Sequence, residues 1–272
     1  MTAKILSKRR RVVLVAGQKG GTGKSSVARA LVDRCRRDRI SAAGYDADGS
    51  VGQLLQFYGT RTADGQVSIE QDPLQGIGYF DLRQERQRDM LLQGIETEAT
   101  VVIFDCPGGV LHELSRVVDA DSMSARGLME TYRDHGFDPT IVLVLTPMMA
   151  SSRAVSQAIQ LFGDGADYVA VKNLAFGAAD QFVLFDGYTD AGGKPIGGKG
   201  RRMLEERNGI VLNMPALQAS TYALIDLYSL AFDAARTDTR LHLADRTRAH
   251  RWIRAMDAEF DRAARLLGLG AR

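Results

Sequence analysis

Cysteine is scarce in this chain. The two cysteines, Cys35 and Cys106, lie far apart and form no CxxC pair, which argues against a disulfide scaffold and a cysteine-rich zinc site. Long apolar runs are missing as well, because the longest one, residues 141–150, covers about half of the ~20 residues that a membrane-spanning helix needs. These absences predict a soluble, cytoplasmic protein.

An excess of charge of one sign is also missing. The 35 lysines and arginines nearly balance the 33 acidic residues, for a net charge of +2, so an anionic partner would have to meet a local basic patch. At 272 residues and 45% hydrophobic composition, the chain can bury a substantial core. No repeat or long linker divides it. We therefore predict one domain over residues 1–272, with a basic N-terminal tail at 1–11 and an arginine-rich helical segment at 233–269.

Apolar, β-rich segments alternate with amphipathic ones, which is typical of βα units. The pattern predicts a three-layer α/β fold, in which a doubly wound, mainly parallel sheet carries helices on both faces. The predicted strands are residues 12–16, 40–45, 77–82, 101–104, 140–146, 168–171 and 210–213. The predicted helices are residues 25–37, 82–95 and 151–162. Residues 60–76 and the glycine-rich residues 191–200 are predicted to be loops, the second of them mobile.

The strongest motif follows the first predicted strand and reads Gly-Gln-Lys-Gly-Gly-Thr-Gly-Lys-Ser-Ser over residues 17–26. A polyphosphate binds to backbone N–H groups at a helix N-terminus, and glycines leave these groups accessible. Lys24 is placed to bind the β- and γ-phosphates and Ser25 to bind Mg²⁺. The predicted nucleotide-binding residues here are Gly20, Gly21, Thr22, Gly23, Lys24, Ser25 and Ser26.

This loop resembles the deviant Walker A motif of the ParA/MinD family of dimerising ATPases, and residues 18–25 resemble the ParA branch more than the MinD branch. In that family the additional lysine, here Lys19, reaches the phosphates of the other subunit in a nucleotide-sandwich dimer. The resemblance implies a P-loop NTPase fold, with ATP and Mg²⁺ as ligands. It also implies that Lys19 and Lys24 are catalytic cations that offset the charge of two facing triphosphates.

Acidic residues end two predicted strands, where a doubly wound sheet places its ligands. Asp46-Ala47-Asp48 resembles the family's D-x-D segment, although the Pro-Gln usual in ParA proteins does not follow it. The resemblance implies that Asp46 supports the Mg²⁺ shell and that Asp48 orients the attacking water. Residues 101–109 form a Walker B pattern, in which Asp105 would hold a Mg²⁺-bound water and 107–109 would be a switch loop. The expected metal residues are Ser25, Asp46 and Asp105.

Three further residues are interpreted individually. Asn173 lies where many family members carry an asparagine that contacts adenine, and Pro215 belongs to a segment that matches a loop beside the base. Both could equally be ordinary turns at strand ends. Cys106 is interpreted as a packed residue and not a nucleophile, because no histidine pattern accompanies it.

Basic residues are concentrated in three places. These are residues 8–11, the segment with Lys194, Lys199, Arg201 and Arg202, and residues 236–272, where nine arginines face five acidic residues. Each cluster could be a solvated surface. Dimerisation would double the phosphate contacts, however, which favours salt-dependent and sequence-independent DNA binding. About ten residues precede the first predicted strand, so we expect neither an N-terminal helix-turn-helix nor operator-specific binding.

Asp48 is a weak base and would align water more than deprotonate it, so ATP hydrolysis should be slow. A slow ATPase that dimerises with ATP is predicted to act as a switch. The ATP-bound homodimer would act in plasmid or chromosome segregation or in conjugative transfer. We expect an activating partner, a centromere-binding or transfer protein, and association with the nucleoid.

Two alternative functions remain open. One is a MinD-like membrane-associated ATPase, since Trp252, Met256 and Phe260 recur at helical spacing, although acidic residues interleave with them. The other is a small P-loop phosphotransferase or ligase, for which residues 191–202 would form a lid. An iron–sulfur carrier ATPase would need a CxxC or an interfacial cysteine, and a bacterial tyrosine kinase would need a C-terminal tyrosine cluster. This sequence has neither.

Overall fold

A parallel sheet of seven strands organises the molecule. The structure is a computed structural model that describes residues 10–49, 52–111 and 125–270. In that part, the strands are β1 (Arg10–Ala16), β2 (Ala42–Asp46), β3 (Gly78–Tyr79), β4 (Val101–Asp105), β5 (Phe137–Leu145), β6 (Asp167–Asn173), the hairpin strands β7 (Tyr188–Thr189) and β8 (Pro195–Ile196), and β9 (Ile210–Met214).

The strand order of the sheet is β3-β2-β4-β1-β5-β6-β9, and all neighbours are parallel. The chain leaves the central strand β1 towards β2 and β3 on one side and later adds β5, β6 and β9 on the other. Doubly wound sheets bind their ligands at the carboxyl ends of the strands beside such a reversal. The end of β1, where the glycine-rich loop begins, is therefore where a ligand is expected.

The helices in the described ranges lie on both faces of the sheet. They are α1 (Lys24–Arg37), α2 (Gln53–Tyr58), α3 (Met90–Gln93), α4 (Ala125–Asp134), α5 (Met149–Phe162), α6 (Val183–Asp186), α7 (Lys199–Glu206), α8 (Ala219–Leu227), α9 (Leu243–Arg262) and α10 (Ala264–Leu267).

Two separate hydrophobic clusters form the core, one on each face of the sheet. In β4, Val102 and Phe104 pack in the cluster that contains α4 and α5, whereas Val101 and Ile103 pack in the cluster that contains α1 and α9. Strands buried on both faces read as continuous apolar runs, which is why the sequence identified them. The predicted three-layer fold is confirmed.

Each of the seven predicted strands exists, with shifted ends. β1 begins at Arg10, so two residues of the predicted basic tail belong to the sheet. Arg10 donates a hydrogen bond to the carbonyl of Thr97 at 2.9 Å, and Arg11 pairs with Asp167 at 2.5 Å. These two arginines are therefore structural residues, and residues 1–9 lie outside the described part of the chain.

The predicted helix over residues 82–95 is wrong. The segment contains a 3₁₀ turn, Glu85–Gln87, and the one-turn helix α3. Side chains compete here with helical hydrogen bonding: Asp81 Oδ1 accepts from the Arg83 N–H at 3.1 Å, and Gln87 Oε1 accepts from the Asp81 N–H at 2.7 Å. β3 is also shorter than its predicted extent of 77–82.

The predicted loop over residues 191–200 is partly wrong. Its middle belongs to the β7–β8 hairpin and its end to α7, which begins at Lys199. A Cβ on Gly200 would lie 2.8 Å from the Ser152 carbonyl oxygen, so this glycine lets α7 pack closely on α5. Glycine allows close helix packing here. A glycine-rich composition is the same for a close-packed helix start and for a flexible loop, so it does not distinguish the two.

The arginine-rich C-terminal segment is helical, as predicted, and its apolar side packs on the sheet. Trp252, Met256 and Phe260 are buried in the cluster that also contains Val13 and Val15 of β1. The apolar side of α9 is therefore packed on its own domain. No helix within residues 10–49, 52–111 and 125–270 combines the length and the apolar character needed to cross a bilayer.

Replacement of Phe260 tests this packing. Phe260 is 1% exposed, and Phe260→Ala should lower the free energy of unfolding by about 3–5 kcal/mol, because it leaves a cavity between α9 and the sheet. Urea denaturation followed by circular dichroism measures the change. Arg254→Ala on the exposed side of the same helix is the control and should change stability by less than about 0.5 kcal/mol.

Candidate nucleotide-binding site

The glycine-rich loop joins β1 to α1 and exposes its backbone to a cavity. Gly21 and Gly23 have φ angles of +75° and +97°, which side chains rarely adopt. A Cβ on Gly20 or Gly21 would meet nothing within 4 Å, whereas one on Gly23 would lie 2.5 Å from Asn173 Nδ2. The loop is thus open towards the cavity and closed towards β6, as a backbone phosphate cradle requires.

A cavity of about 740 Å³ lies at the carboxyl ends of the central strands. It brings together residues that are distant in the sequence, from the glycine-rich loop, from the turn after β2 and from the ends of β6 and β9. The predicted site residues that line it are Gly20, Gly21, Gly23, Lys24, Ser25, Ser26, Asp48, Asn173 and Pro215.

The two lysines of the loop differ in environment. Lys24 is buried, and its Nζ donates to the carbonyl of Lys19 at 3.0 Å. Burial lowers the pKa of Lys24, and the charges of Asp105 and Asp48 act in the opposite direction. The side chain of Lys19 is exposed, and it has no hydrogen bond or ion pair in the described part of the chain. Lys24 therefore points into its own site, while Lys19 is free to contact another molecule.

Asp105, the last residue of β4, is 3% exposed, and its buried Oδ1 atom has no hydrogen-bond partner within the described part of the chain. Burial raises its pKa to about 7, and the charge of Asp46 adds to this, while a hydrogen bond from the Ser25 side chain opposes it. An unsatisfied carboxylate oxygen beside a hydroxyl offers the hard oxygen ligands that Mg²⁺ prefers. Asp105 and Ser25 therefore fit a magnesium ion.

Asp46 performs a structural task at the same edge. Its Oδ1 accepts from the Asp48 N–H at 3.2 Å, and its Oδ2 accepts from the Leu55 N–H in the first turn of α2 at 3.0 Å. A Cβ on Gly52 would overlap this carboxylate, so only glycine fits there. Burial raises the pKa of Asp46 to about 6. Asp46 holds the turn that carries Asp48, and its role towards Mg²⁺ stays a prediction.

The turn after β4 packs directly on the glycine-rich loop. The Gly109 N–H donates to the Gly17 carbonyl at 3.1 Å, and a Cβ on Gly108 would lie 2.8 Å from the Gly20 nitrogen. Movement of either loop would therefore move the other. Cys106 in this turn is buried, and burial raises the pKa of its thiol, which agrees with its interpretation as a packed residue.

Asn173 ends β6, and its side chain is hydrogen-bonded to the backbone through both its amide nitrogen and its oxygen. Its Nδ2 donates to the Thr22 carbonyl at 2.9 Å, and its Oδ1 accepts from the Ala175 N–H at 3.0 Å. The asparagine therefore fixes the glycine-rich loop against the sheet. Its contact with adenine stays a prediction.

Sequence reasoning missed a polar network on the other wall of the cavity. Arg29 is fully buried, lies 3.5 Å from the centre of the Phe57 ring, and donates to the Tyr222 hydroxyl at 3.3 Å. The Tyr222 hydroxyl also shares a hydrogen bond with Ser26 Oγ at 3.1 Å, in which either oxygen can donate. Ser26 in turn lines the cavity. In the sequence, the position of Arg29 within the predicted helix is the one feature that indicates burial of its side chain.

Trp252 closes the same wall. Its indole nitrogen donates to the Pro215 carbonyl at 2.7 Å, and its ring lies 4.5 Å from that of Phe232. The apolar part of the cavity thus lies between the end of β9, α8 and α9, opposite the carboxylates. A flat heteroaromatic group could occupy this part while phosphates meet the glycine-rich loop.

Comparison with known proteins gives a consistent result. No protein-family model matches the sequence, and no curated protein matches it by sequence. Among solved structures, the septum site-determining protein MinD of Pyrococcus horikoshii, in complex with Mg-ADP, is 12% identical over 93% of this chain and 97% of that one, with a TM-score of 0.53. The cell division ATPase MinD of Pyrococcus furiosus is 13% identical over 91% and 98%, with a TM-score of 0.51. The chain has the fold of the MinD/ParA ATPases.

The expectation of a ParA/MinD-like fold is therefore confirmed. A ParA family ATPase of Chlorobium tepidum is 13% identical over 91% of this chain and 98% of that one, with a TM-score of 0.49. At 12% and 13% identity, the likeness to the two MinD proteins establishes the fold alone.

The buried charge of Asp105 should lower the free energy of unfolding of the nucleotide-free protein. Asp105→Asn should raise the free energy of unfolding at pH 8 by at least about 1 kcal/mol, since each pKa unit corresponds to about 1.4 kcal/mol. The buried charge lowers the free energy of unfolding at pH values where the native carboxylate is ionised. As pH falls from 7 towards 4, the native state binds the proton before the unfolded state does, so this destabilisation disappears.

Urea denaturation of both proteins at pH 8 and pH 5 tests this, and the difference between them should be larger at pH 8. Asp64→Asn, at an exposed position in the 60–76 loop, is the control. An Asp105→Asn variant that is less stable than the unmodified protein at pH 8 would contradict the prediction.

Proposed function

We propose that the protein binds and hydrolyses ATP and that ATP binding makes it dimerise. The observation that carries the proposal is an open glycine backbone and a buried lysine at one cavity, next to Asp105, whose buried Oδ1 has no hydrogen-bond partner among the described residues. Few ligands other than a metal-bound polyphosphate satisfy all three together. The fold of the MinD/ParA ATPases supports the same conclusion.

The residues have separate tasks in the proposed reaction. Lys24 would exchange its hydrogen bond to the Lys19 carbonyl for phosphate oxygens, and the glycine N–H groups would bind the remaining phosphate charge. When bound, Mg²⁺ supplies positive charge that stabilises the transferred phosphoryl group; Asp105 and Ser25 would hold it, and Asp46 would support that shell. Asp48, at the rim of the cavity, would align the attacking water. Since positioning dominates phosphoryl transfer and an aspartate is a weak base, turnover should be slow and stimulated by an activating partner.

Lys19 accounts for dimerisation. Its side chain is exposed at the cavity edge of the molecule, and two facing copies would each place a cation near the other's triphosphate. ATP would bind the dimer in preference to the monomer and would shift the population until hydrolysis releases it.

Dimerisation with ATP is the decisive test. With Mg²⁺-ATP, the Asp48→Ala variant should form a dimer in light scattering, because bound ATP persists. Lys19→Ala or Lys24→Ala, added to that variant, should abolish the dimer. Lys199→Ala, which removes an exposed lysine outside the cavity, is the control and should leave the dimer intact. An Asp48→Ala variant that stays monomeric with saturating ATP would discard the sandwich mechanism.

The cargo of this switch is proposed to be DNA, in plasmid or chromosome segregation or in conjugative transfer. Lys194, Lys199 and Arg202 are exposed and have no ion pair among the described residues, whereas Arg201 pairs with Asp186. In the C-terminal segment, the exposed arginines without an ion pair in the described ranges are Arg251, Arg254 and Arg265. Free basic side chains on a dimer favour DNA contacts that do not depend on sequence.

Two observations weigh against the alternatives. The apolar residues of α9 are buried in the core and cannot insert into a membrane without unfolding it. None of residues 191–202 lines the cavity, so this segment does not cover a phosphotransferase site. We infer a cytoplasmic protein that associates with the nucleoid and is activated by a centromere-binding or transfer protein.

DNA binding can be assigned to a surface by salt titration. Lys199→Ala with Arg202→Ala should weaken binding of nonspecific duplex and should reduce the slope of log K against log salt by about 0.9 per lost phosphate contact. Arg236→Ala with Arg240→Ala is the matched control, because both arginines are already paired with aspartates. If the ATP-bound protein does not retain duplex at low salt, the DNA proposal fails, and flotation with anionic liposomes tests the membrane alternative.

A further inference from the structure

Arg83, in the turn after β3, contacts the residue that is expected to align water. Its Nη2 forms an ion pair with Asp48 Oδ1, and its Nη1 lies 3.5 Å from Asp81 Oδ1. Asp48 lines the cavity and Arg83 does not. The arginine therefore holds this carboxylate from outside the site. Neither the glycine-rich loop nor the D-x-D segment points to it.

Backbone pairing fixes the position of Arg83 relative to Asp48. The Leu82 N–H donates to the Ala47 carbonyl at 3.1 Å, and the Gly49 N–H donates to the Phe80 carbonyl at 3.0 Å. Asp48 and Asp81 form an antiparallel bridge between these two hydrogen bonds. The side chains of Arg83 and Asp48 are half exposed. Because the backbone pairing already fixes their relative position, forming this ion pair loses less conformational entropy than forming an ordinary surface ion pair.

Asp81 directs the guanidinium towards Asp48. Its Oδ1 accepts from the Arg83 N–H at 3.1 Å, and its Oδ2 accepts from Gln84 Nε2 at 3.2 Å. The planar guanidinium then spans two carboxylates that lie side by side, which a lysine ammonium cannot do with the same geometry.

The local charges explain why Asp48 needs such a partner. Asp46 and Asp105 lie close enough to Asp48 for its charge to raise the pKa of both. Lys24 is the neighbouring buried cation, and its pKa responds to Asp48 as well as to Arg83. Without Arg83, Asp48 would keep only these opposing charges on the side of the cavity, and its carboxylate would no longer be held at the rim.

We propose that Arg83 is a positioning residue for ATP hydrolysis, which holds the Asp48 carboxylate at the rim of the cavity and away from Lys24. The ion pair uses Oδ1, and a carboxylate accepts about four hydrogen bonds, so Oδ2 remains available to the attacking water. This inference rests on the proposed ATPase function and adds to it a residue that acts on the hydrolysis step and not on nucleotide binding.

Kinetics of Arg83 variants test the proposal. Arg83→Ala should lower kcat by about 10- to 100-fold, because a misplaced water-aligning group costs that much, and should change KM and the ATP dissociation constant by less than about 3-fold. Arg83→Lys should restore part of kcat, since it keeps the charge but not the fork. Arg86→Ala removes the same charge from an exposed position three residues further on, and should behave as the unmodified protein.

A second measurement does not depend on turnover. In the nucleotide-free protein, Arg83→Ala should increase amide hydrogen exchange at Gly49 and Leu82, Arg83→Lys should increase it less, and Arg86→Ala should leave it unchanged. If the alanine variant fails to fold, Arg83→Gln, which keeps a polar side chain but removes the charge, replaces it in both measurements.

The outcomes separate this inference from the function on which it rests. If the unmodified protein binds ATP without hydrolysing it, the proposed ATPase function fails and the role of Arg83 fails with it. If the unmodified protein hydrolyses ATP and Arg83→Ala has an equal or higher kcat, only the role of Arg83 is overturned. A rise in KM that accounts for the whole loss of kcat/KM also overturns it, because Arg83 would then act in ground-state binding.

Discussion

The burial of two carboxylates, to which their repulsion adds, is the constraint on which the site depends. Asp46 and Asp105 are enclosed at the ends of neighbouring strands and lie near Asp48, and burial raises the pKa of the first two to about 6 and about 7. Lys24 offsets part of this charge from inside the cavity and Arg83 from outside. An arrangement of this kind lowers the stability of the empty protein and becomes favourable when cations and phosphates complete it.

The sheet topology places this charge where it can be used. Because β2, β4 and β1 are adjacent and parallel, their carboxyl ends bring the two acidic turns beside the glycine-rich loop. Helix α9 completes the hydrophobic core on one face and also contributes Trp252 to the cavity wall. The same helix therefore links the stability of the fold to the shape of the apolar end of the site.

Much of the fold could be predicted from the sequence, because strands buried on both faces and a glycine loop between strand and helix leave distinct patterns. The helix predicted over 82–95 failed, since side-chain hydrogen bonds around Asp81 compete with helix formation and the apolar periodicity does not register them. Arg83 and Tyr222 could not be found for a related reason. Their roles come from contacts with Asp48 and Ser26, residues remote from them in the sequence.

The glycine-rich loop is held from behind by the ends of β6 and β9. Asn173 binds the Thr22 carbonyl, and the space beside Gly23 is filled by Asn173 and Met214. A loop fixed in this way is already shaped before any ligand arrives, so little ordering entropy opposes binding. ATP and ADP would benefit equally from this preorganisation, and discrimination between them must therefore come from the γ-phosphate end of the cavity.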